Sequence, residues 1–181
     1  MKTCFFLIPL FLVLVLFQKV EFDFGTTKDG TNWQILNDGV MGGLSKGEIL
    51  FTENSLKFSG AVSLENYGGF TSVKSPFQEF NLANKSRVKI RYKTSGQSIA
   101  ISLENSRAFY KPYFKLELED TEDSWKTKEI AIEQFKQYNL GQVTQEQISG
   151  EFLKTVKRIG FITNQKKEGT FTVEVDYLVF E

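Results

Sequence analysis

From Glu21 onward, apolar and polar residues alternate in run after run, and this period of two constrains the fold more than any other feature of the chain. Successive side chains of an extended backbone point to opposite faces, so alternation describes a strand with one face buried. A helix would need apolar residues every three or four positions. Leu56, Phe58, Val62 and Leu64 form one run, and Val88, Ile90 and Tyr92 a second. Ile99, Ile101 and Leu103, then Phe114, Leu116 and Leu118, continue the pattern. The cleanest run is the last, Phe171, Val173, Val175, Tyr177 and Val179, entered through the turn-forming Lys167-Glu168-Gly169 and expected to close a sheet. Between the runs lie Asn37-Asp38-Gly39, Gly42-Gly43, Gly68-Gly69, Ser95-Gly96 and Asn139-Leu140-Gly141, with glycines placed where a chain reverses. The pattern predicts an all-β fold of two packed antiparallel sheets. One stretch departs from it: Thr144, three residues before Gln147, makes a capping box and predicts a single short helix over 144–152.

The 18 Phe support the same class, because aromatic residues favour strands. A length of 181 residues suits one domain, expected over 21–181 after an N-terminal leader at 1–20. In that leader Lys2 precedes the apolar run Phe5 to Phe17, too short for the ~20 residues that span a bilayer and matched to the core of a signal peptide or signal anchor. Export is therefore expected, to a periplasm or bacterial-type cell envelope. The leader is poor in Arg and lacks an amphipathic pattern, which argues against the mitochondrial route.

Several chemistries are excluded or weakened. Lys plus Arg equals Asp plus Glu at 22 each, so no long-range field draws the chain to nucleic acid or to an anionic membrane. Histidine is absent, which removes the usual general base, the commonest zinc ligand and any Ser-His-Asp arrangement for Ser45, Ser63 or Ser72. The single cysteine, Cys4, lies in the leader, so the remainder has no disulfide and no thiolate nucleophile. The glycines of Asp38 to Gly47 match no phosphate-binding spacing, and no cofactor is implied. Asp38, Glu48 and Glu65 are candidates for a glycosidase pair only if two of them face each other across a cleft. Asp38, Glu65, Asn66 and Asp176 supply oxygens for a structural calcium, without the dense acidic run of a dedicated loop. Trp33, Tyr67, Tyr110, Tyr113 and Trp125 offer polar-tipped rings for a sugar-stacking platform, or pack at the sheet edge instead.

Two ordered blocks carry a specific resemblance. The first runs from Trp33 to Phe51 and holds Asn37, Asp38, Val40, Met41, Gly42, Gly43 and Ser45 in an N-D-x-V-M-G-G-x-S pattern. The second, Phe58 to Phe70, holds Gly60, Val62, Ser63, Leu64, Glu65, Asn66, Gly68 and Gly69. Together they resemble the NADH:ubiquinone oxidoreductase intermediate-associated protein 30 family, with weaker similarity through Tyr113-Phe114, Trp125, Phe135, Ile159-Gly160-Phe161 and Gly169 to Phe180. The resemblance implies a galactose-binding-like jelly roll. It also implies a non-enzymatic accessory or assembly-type role, since mitochondrial members act as assembly factors for respiratory complex I while others are bacterial proteins. The chain departs from the family at Thr94-Ser95-Gly96-Gln97, where G-D-G-R is frequent.

Both blocks read as turns that lock one edge of a sandwich. They also read as one polar patch, in which Asn37, Asp38, Gly39, Met41, Gly42, Gly43 and Ser45 meet Glu65, Asn66, Gly68, Gly69 and Phe70 on loops held by a rigid scaffold. Neighbouring segments of antiparallel sheets usually lie side by side, so the two loops are expected to touch, with Asn37 or Asp38 bonded to the second. The expected partner is a protein at the cell envelope; the alternative is a carbohydrate, bound by a module of an exported protein.

Overall fold

The computed structural model describes residues 19–181. Cys4 and the apolar run 5–17 lie outside the described residues.

The described chain lays down thirteen strands. The first seven are β1 (Val20–Asp23), β2 (Gln34–Asn37), β3 (Lys46–Phe51), β4 (Leu56–Val62), β5 (Thr71–Lys74), β6 (Arg87–Gly96) and β7 (Ile99–Glu104). The others are β8 (Tyr113–Glu117), β9 (Lys126–Ala131), β10 (Lys136–Asn139), β11 (Gln142–Gln147), β12 (Arg158–Thr163) and β13 (Gly169–Phe180). They form two antiparallel sheets. One has six strands in the order β3-β4-β13-β6-β9, with β1 also paired to β13. The other has seven, in the order β11-β10-β8-β7-β12-β5-β2.

The expected closing strand lies in the middle of its sheet. β13 pairs β4 along one side, with Val173 opposite Phe58, and β6 along the other, with Val173 opposite Thr94. Its inward residues Phe171, Val173 and Val175 are buried, and the Phe171 ring lies 4.8 Å from that of Phe58. From the facing sheet Val73, Ile101, Leu103, Phe114, Ile159 and Phe161 complete the same core. Trp33 belongs to this core, not to a surface platform. It is 5% exposed and packs edge-on to Phe22 and Phe24 and stacked on Phe161.

The helix differs from expectation. Thr144 lies in β11, where its hydroxyl donates to Gln137 Oε1 across the β10–β11 pair at 2.7 Å, so it is unavailable as a cap. The helix α1 is shorter and later, Gly150–Lys154, with Ser149 as N-cap accepting from Phe152 N. It seats Leu153 in the core and places Phe152 4.5 Å from Phe114. Among the described residues no helix is long and apolar enough to cross a membrane.

Two pairings position the site. Asn37 at the end of β2 is opposite Thr71 at the start of β5, and Lys46 at the start of β3 is opposite Ala61 near the end of β4. The β2–β3 link and the β4–β5 link therefore leave the same end of the sandwich.

Candidate functional site

Asp38 joins these two links. Leaving β2, the chain makes a 3-10 turn over Asp38–Met41, and its first residue points inward with only 1% exposure. Its Oδ1 accepts from Ser45 N at 3.1 Å. Its Oδ2 accepts from Ser45 Oγ at 2.6 Å, Gly69 N at 2.7 Å and Phe70 N at 3.2 Å. The Ser45 hydroxyl in turn accepts from Ser63 N at 3.1 Å. Asn37 continues the seam, its side-chain carbonyl accepting from the Thr71 hydroxyl. Burial pushes the Asp38 carboxyl up, but the Ser45 hydroxyl and the amides of Gly69, Phe70 and Ser45 outweigh it and hold the group below the ordinary carboxylate range.

The glycine pairs divide their labour around this carboxylate. Gly42 and Gly69 adopt φ of +86° and +134°, which side chains rarely tolerate. Gly43 and Gly68 serve close approach instead: a Cβ would lie 2.4 Å from Asp38 Cγ at the first and 2.7 Å from Asp38 Oδ2 at the second. Each pair thus turns the chain with one residue and admits Asp38 with the other.

A carboxylate whose oxygens already accept four donors has little capacity left for a metal or a substrate. Of the remaining sequence candidates, Gly39, Glu65 and Asn66 are exposed and Phe70 is half-buried. Beside the exposed Glu65 and Asn66, the seam also displays large apolar and aromatic side chains. Asn66 and Tyr67 take φ of +54° and +64° in succession, a left-handed stretch that turns Tyr67 out to 93% exposure. Leu44 on the first link and Leu64 on the second are 50% and 38% exposed. Glu168 ties the second link to the start of β13 by accepting from Leu64 N at 3.2 Å.

A second unusual surface lies on the face of the seven-stranded sheet turned away from the core. One register row crosses it: Lys136, Lys115, Ser102, Gly160, Lys74 and Gln34. Gly160 leaves room for the stem of Lys74, since a Cβ there would stand 2.8 Å from Lys74 Cγ. Lys74 then reaches Glu104, which Arg158 also approaches at 3.9 Å. The Lys115 ammonium lies 3.8 Å from the centroid of the Tyr138 ring, and Tyr113 and Tyr138 are 6.2 Å apart. Burial lowers the Lys115 ammonium to about 8, partly offset by Glu117. Burial, with Glu104 and Tyr138, pushes the Tyr113 hydroxyl up to about 12. Sequence reading singled out Tyr113 but not Lys115 or Tyr138, because the β8–β10 pairing that unites them leaves no local signal.

The other sequence candidates do not converge. Tyr110 lies on the β7–β8 loop, at the opposite end from Tyr67, and Trp125 lies beneath the Arg91 guanidinium, 4.5 Å from its ring centroid. The five aromatic residues therefore form no single platform. Asp176 pairs with Arg91 at 2.6 Å on the six-stranded sheet, beyond Val175 and away from the Asp38 end, so the four calcium candidates are not gathered. Glu48 accepts from Ser59 on the neighbouring strand, and Asp38 is enclosed, so neither completes a carboxylate pair across a cleft. Among the described residues no group of three or more His, Cys, Asp or Glu is placed to hold a metal ion. Gln97, at the departure from the family pattern, is buried and donates to Gly169 O at 2.8 Å.

Two antiparallel sheets stacked in this way define a galactose-binding-like jelly roll, the sandwich found in carbohydrate-binding modules. The model of the Complex I intermediate-associated protein 30 family matches residues 22–175, and the chain belongs to that family. Among solved structures, it is similar to the family 11 carbohydrate-binding module of the cellulosomal cellulase Lic26A-Cel5E of Clostridium thermocellum. That match has 17% identity and a TM-score of 0.57, over 82% of this chain and 86% of that one. The Clostridium thermocellum family 11 module in complex with a β-1,3-1,4-mixed-linked tetrasaccharide gives 18% identity and 0.57, over 89% and 94%. An agarase, AgWH50C, matches with 7% identity and a TM-score of 0.50, over 83% of this chain and 22% of the agarase. At these identities the likeness defines the fold alone. No curated protein matches the chain.

Proposed function

We propose that this chain is a non-enzymatic accessory protein that holds a protein partner on its Tyr67 tip, in the manner of an assembly factor at the cell envelope. The observation that carries the reading is the tip itself: a 93% exposed tyrosine held by two successive left-handed residues above a fully bonded carboxylate. Such backbone costs about 1 to 3 kcal/mol per residue and persists where the surrounding structure enforces it. Here the enforced outcome is a displayed ring flanked by two exposed leucines, and buried tyrosines are frequent anchors of protein interfaces. The family's association with complex I intermediates supports a protein partner. The lack of histidine and the enclosure of Asp38 support binding over catalysis. The signal-like leader supports the envelope.

A photoreactive amino acid at position 67 tests this in cells. It should cross-link one reproducible partner, and Tyr67→Ala should abolish co-purification of that partner while leaving the melting curve in place. Equal cross-linking from Leu50, exposed on β3, would sink the reading.

Carbohydrate binding is a second reading, favoured by the Tyr113–Tyr138 face. Titration with mixed-linkage β-glucan and envelope polysaccharides checks it, with Tyr138→Ala expected to abolish the heat signal; silence with every glycan removes it.

A further inference from the structure

We propose that the outer face of the seven-stranded sheet binds an acidic saccharide, whose carboxylate is received by the Lys115 ammonium beside the rings of Tyr113 and Tyr138. The proposal rests on the carbohydrate reading and adds the charge of the ligand. Lys115 is 8% exposed, forms no ion pair with any described residue and faces the two tyrosine rings, with the Glu117 carboxylate near enough to act on its charge but not to pair with it. A buried ammonium is costly unless paired, and a methionine or leucine would fill the position without that cost. Two further buried donors face the same problem. Ser102 Oγ, next to Lys115 in the register row, and Arg158 Nε have no partner.

Charge on this face is lopsided although the whole chain balances. Lys74, Lys115, Lys136 and Arg158 face Glu104 and Glu117. Glu104 is engaged by Lys74 and Arg158, and Glu117 accepts from the Ser98 hydroxyl. The Glu117 carboxylate partly offsets Lys115, but four cations against two carboxylates leave the face net positive, and complementary charge specifies an anionic partner.

The rings select the rest of the ligand. Tyr113 and Tyr138, both half-buried and inclined by 33°, supply the aromatic surface on which a pyranose stacks. The strands beneath are paired on both sides, β8 with β7 and β10, and β12 with β7 and β5. A peptide therefore cannot add as a strand here, the mode in which extended peptides usually join a sheet.

The pH dependence follows from the groups around Lys115: Tyr113 and Glu117 on its own strand, Tyr138 and Lys136 from β10, Ser102 and Glu104 from β7, with Arg158 and Lys74 beyond. The tyrosine hydroxyls are raised, that of Tyr113 to about 12. The Lys115 ammonium, at about 8, loses its proton before either tyrosine hydroxyl does. A ligand that requires the charge binds about tenfold more weakly at pH 9 than at pH 7.

Calorimetric titration of the full chain with tetragalacturonate, its methyl ester and poly-L-glutamate decides the matter. Tetragalacturonate should bind, the ester at least tenfold more weakly, and Lys115→Met should lose at least tenfold while melting no lower than the parent. Lys115→Arg, which cannot lose its charge, should bind equally at pH 7 and pH 9, and this holds as a test even if the methionine variant fails to fold. Equal binding of acid and ester would overturn the acidic ligand and leave the carbohydrate reading standing. Binding of neither saccharide would overturn the acidic ligand, while the carbohydrate reading would still be decided by the titration with mixed-linkage β-glucan and envelope polysaccharides. Poly-L-glutamate binding as tightly as tetragalacturonate would replace the sugar with an acidic peptide.

Discussion

At the scale of single residues, Asp38 shows how a polar motif is spent on structure. Its oxygens accept one hydroxyl and three amides while almost wholly enclosed. Losing the acceptor strands those donors, and removing one partner of a buried bond costs more than the bond contributes. Asp38→Ala should therefore lower stability by about 2 to 4 kcal/mol, read by denaturant titration. Because the folded carboxyl is held below its ordinary 3.8, its contribution is present above that value and lost as pH falls through the lower folded value. The stability gap between parent and Asp38→Asn should accordingly be constant from pH 5 to pH 7 and close in stronger acid. A gap that persists unchanged to pH 2 would mean that the loss is packing and not charge. The glycines beside it are equally determined. Gly43→Ala must displace Asp38 and should cost as much as losing the carboxylate, although its backbone lies outside the left-handed region.

At the scale of elements, the sequence was most readable where one face of a strand is buried and the other is wet. β6 alternates cleanly in structure as it does in sequence. β13 does so only from Phe171 to Val175: a bulge between Val175 and Tyr177 then shifts the register, so Leu178 and Phe180 take the core positions that alternation assigned to Tyr177 and Val179. β7 alternates in sequence but is buried on both faces, in part because Lys74 from β5, two strands away, and Arg158 from β12 reach Glu104, a fact that no local pattern carries. The β10–β11 hairpin is mostly exposed or half-exposed, so it has no apolar stripe, and Thr144 there was free to imitate a helix cap. The loop pair was legible because each half is a contiguous motif with its glycines inside it. Lys115 and Tyr138 were not, since only strand pairing unites them. The helix boundary makes this testable. Ser149→Ala removes the cap that meets Phe152 N and should cost about 1 kcal/mol in thermal or denaturant unfolding. Thr144→Ala, on the exposed hairpin, should cost less than half as much; equal costs would place a helical contribution at Thr144 after all.

At the scale of the whole molecule, the core faces of both sheets and the Asp38 seam serve stability, while the left-handed backbone at Tyr67 and the buried charge of Lys115 work against it. The core joins Phe58, Phe171, Val173 and Phe161 across the two sheets and supplies the margin that these two features draw on. Lys115 makes the opposition measurable. Its ammonium is held at about 8 in the folded chain against 10.5 for an ordinary lysine, so below pH 8 the folded state carries a charge that the unfolded state solvates better. Between those two values the unfolded chain binds more protons than the folded one, and stability from this group rises with pH. The sign is opposite to that of Asp38, whose contribution fails in acid. Lys115→Met removes the buried charge, keeps the apolar stem against Tyr113 and Tyr138, and should be more stable than the parent at pH 7. As pH rises through 8 to 10.5 the parent should close that gap, until the two melt together. A variant less stable than the parent at pH 7, or a gap that does not narrow on the alkaline side, would show that Lys115 is already compensated in the free protein. The case for an acidic ligand on that face would then lose its energetic basis.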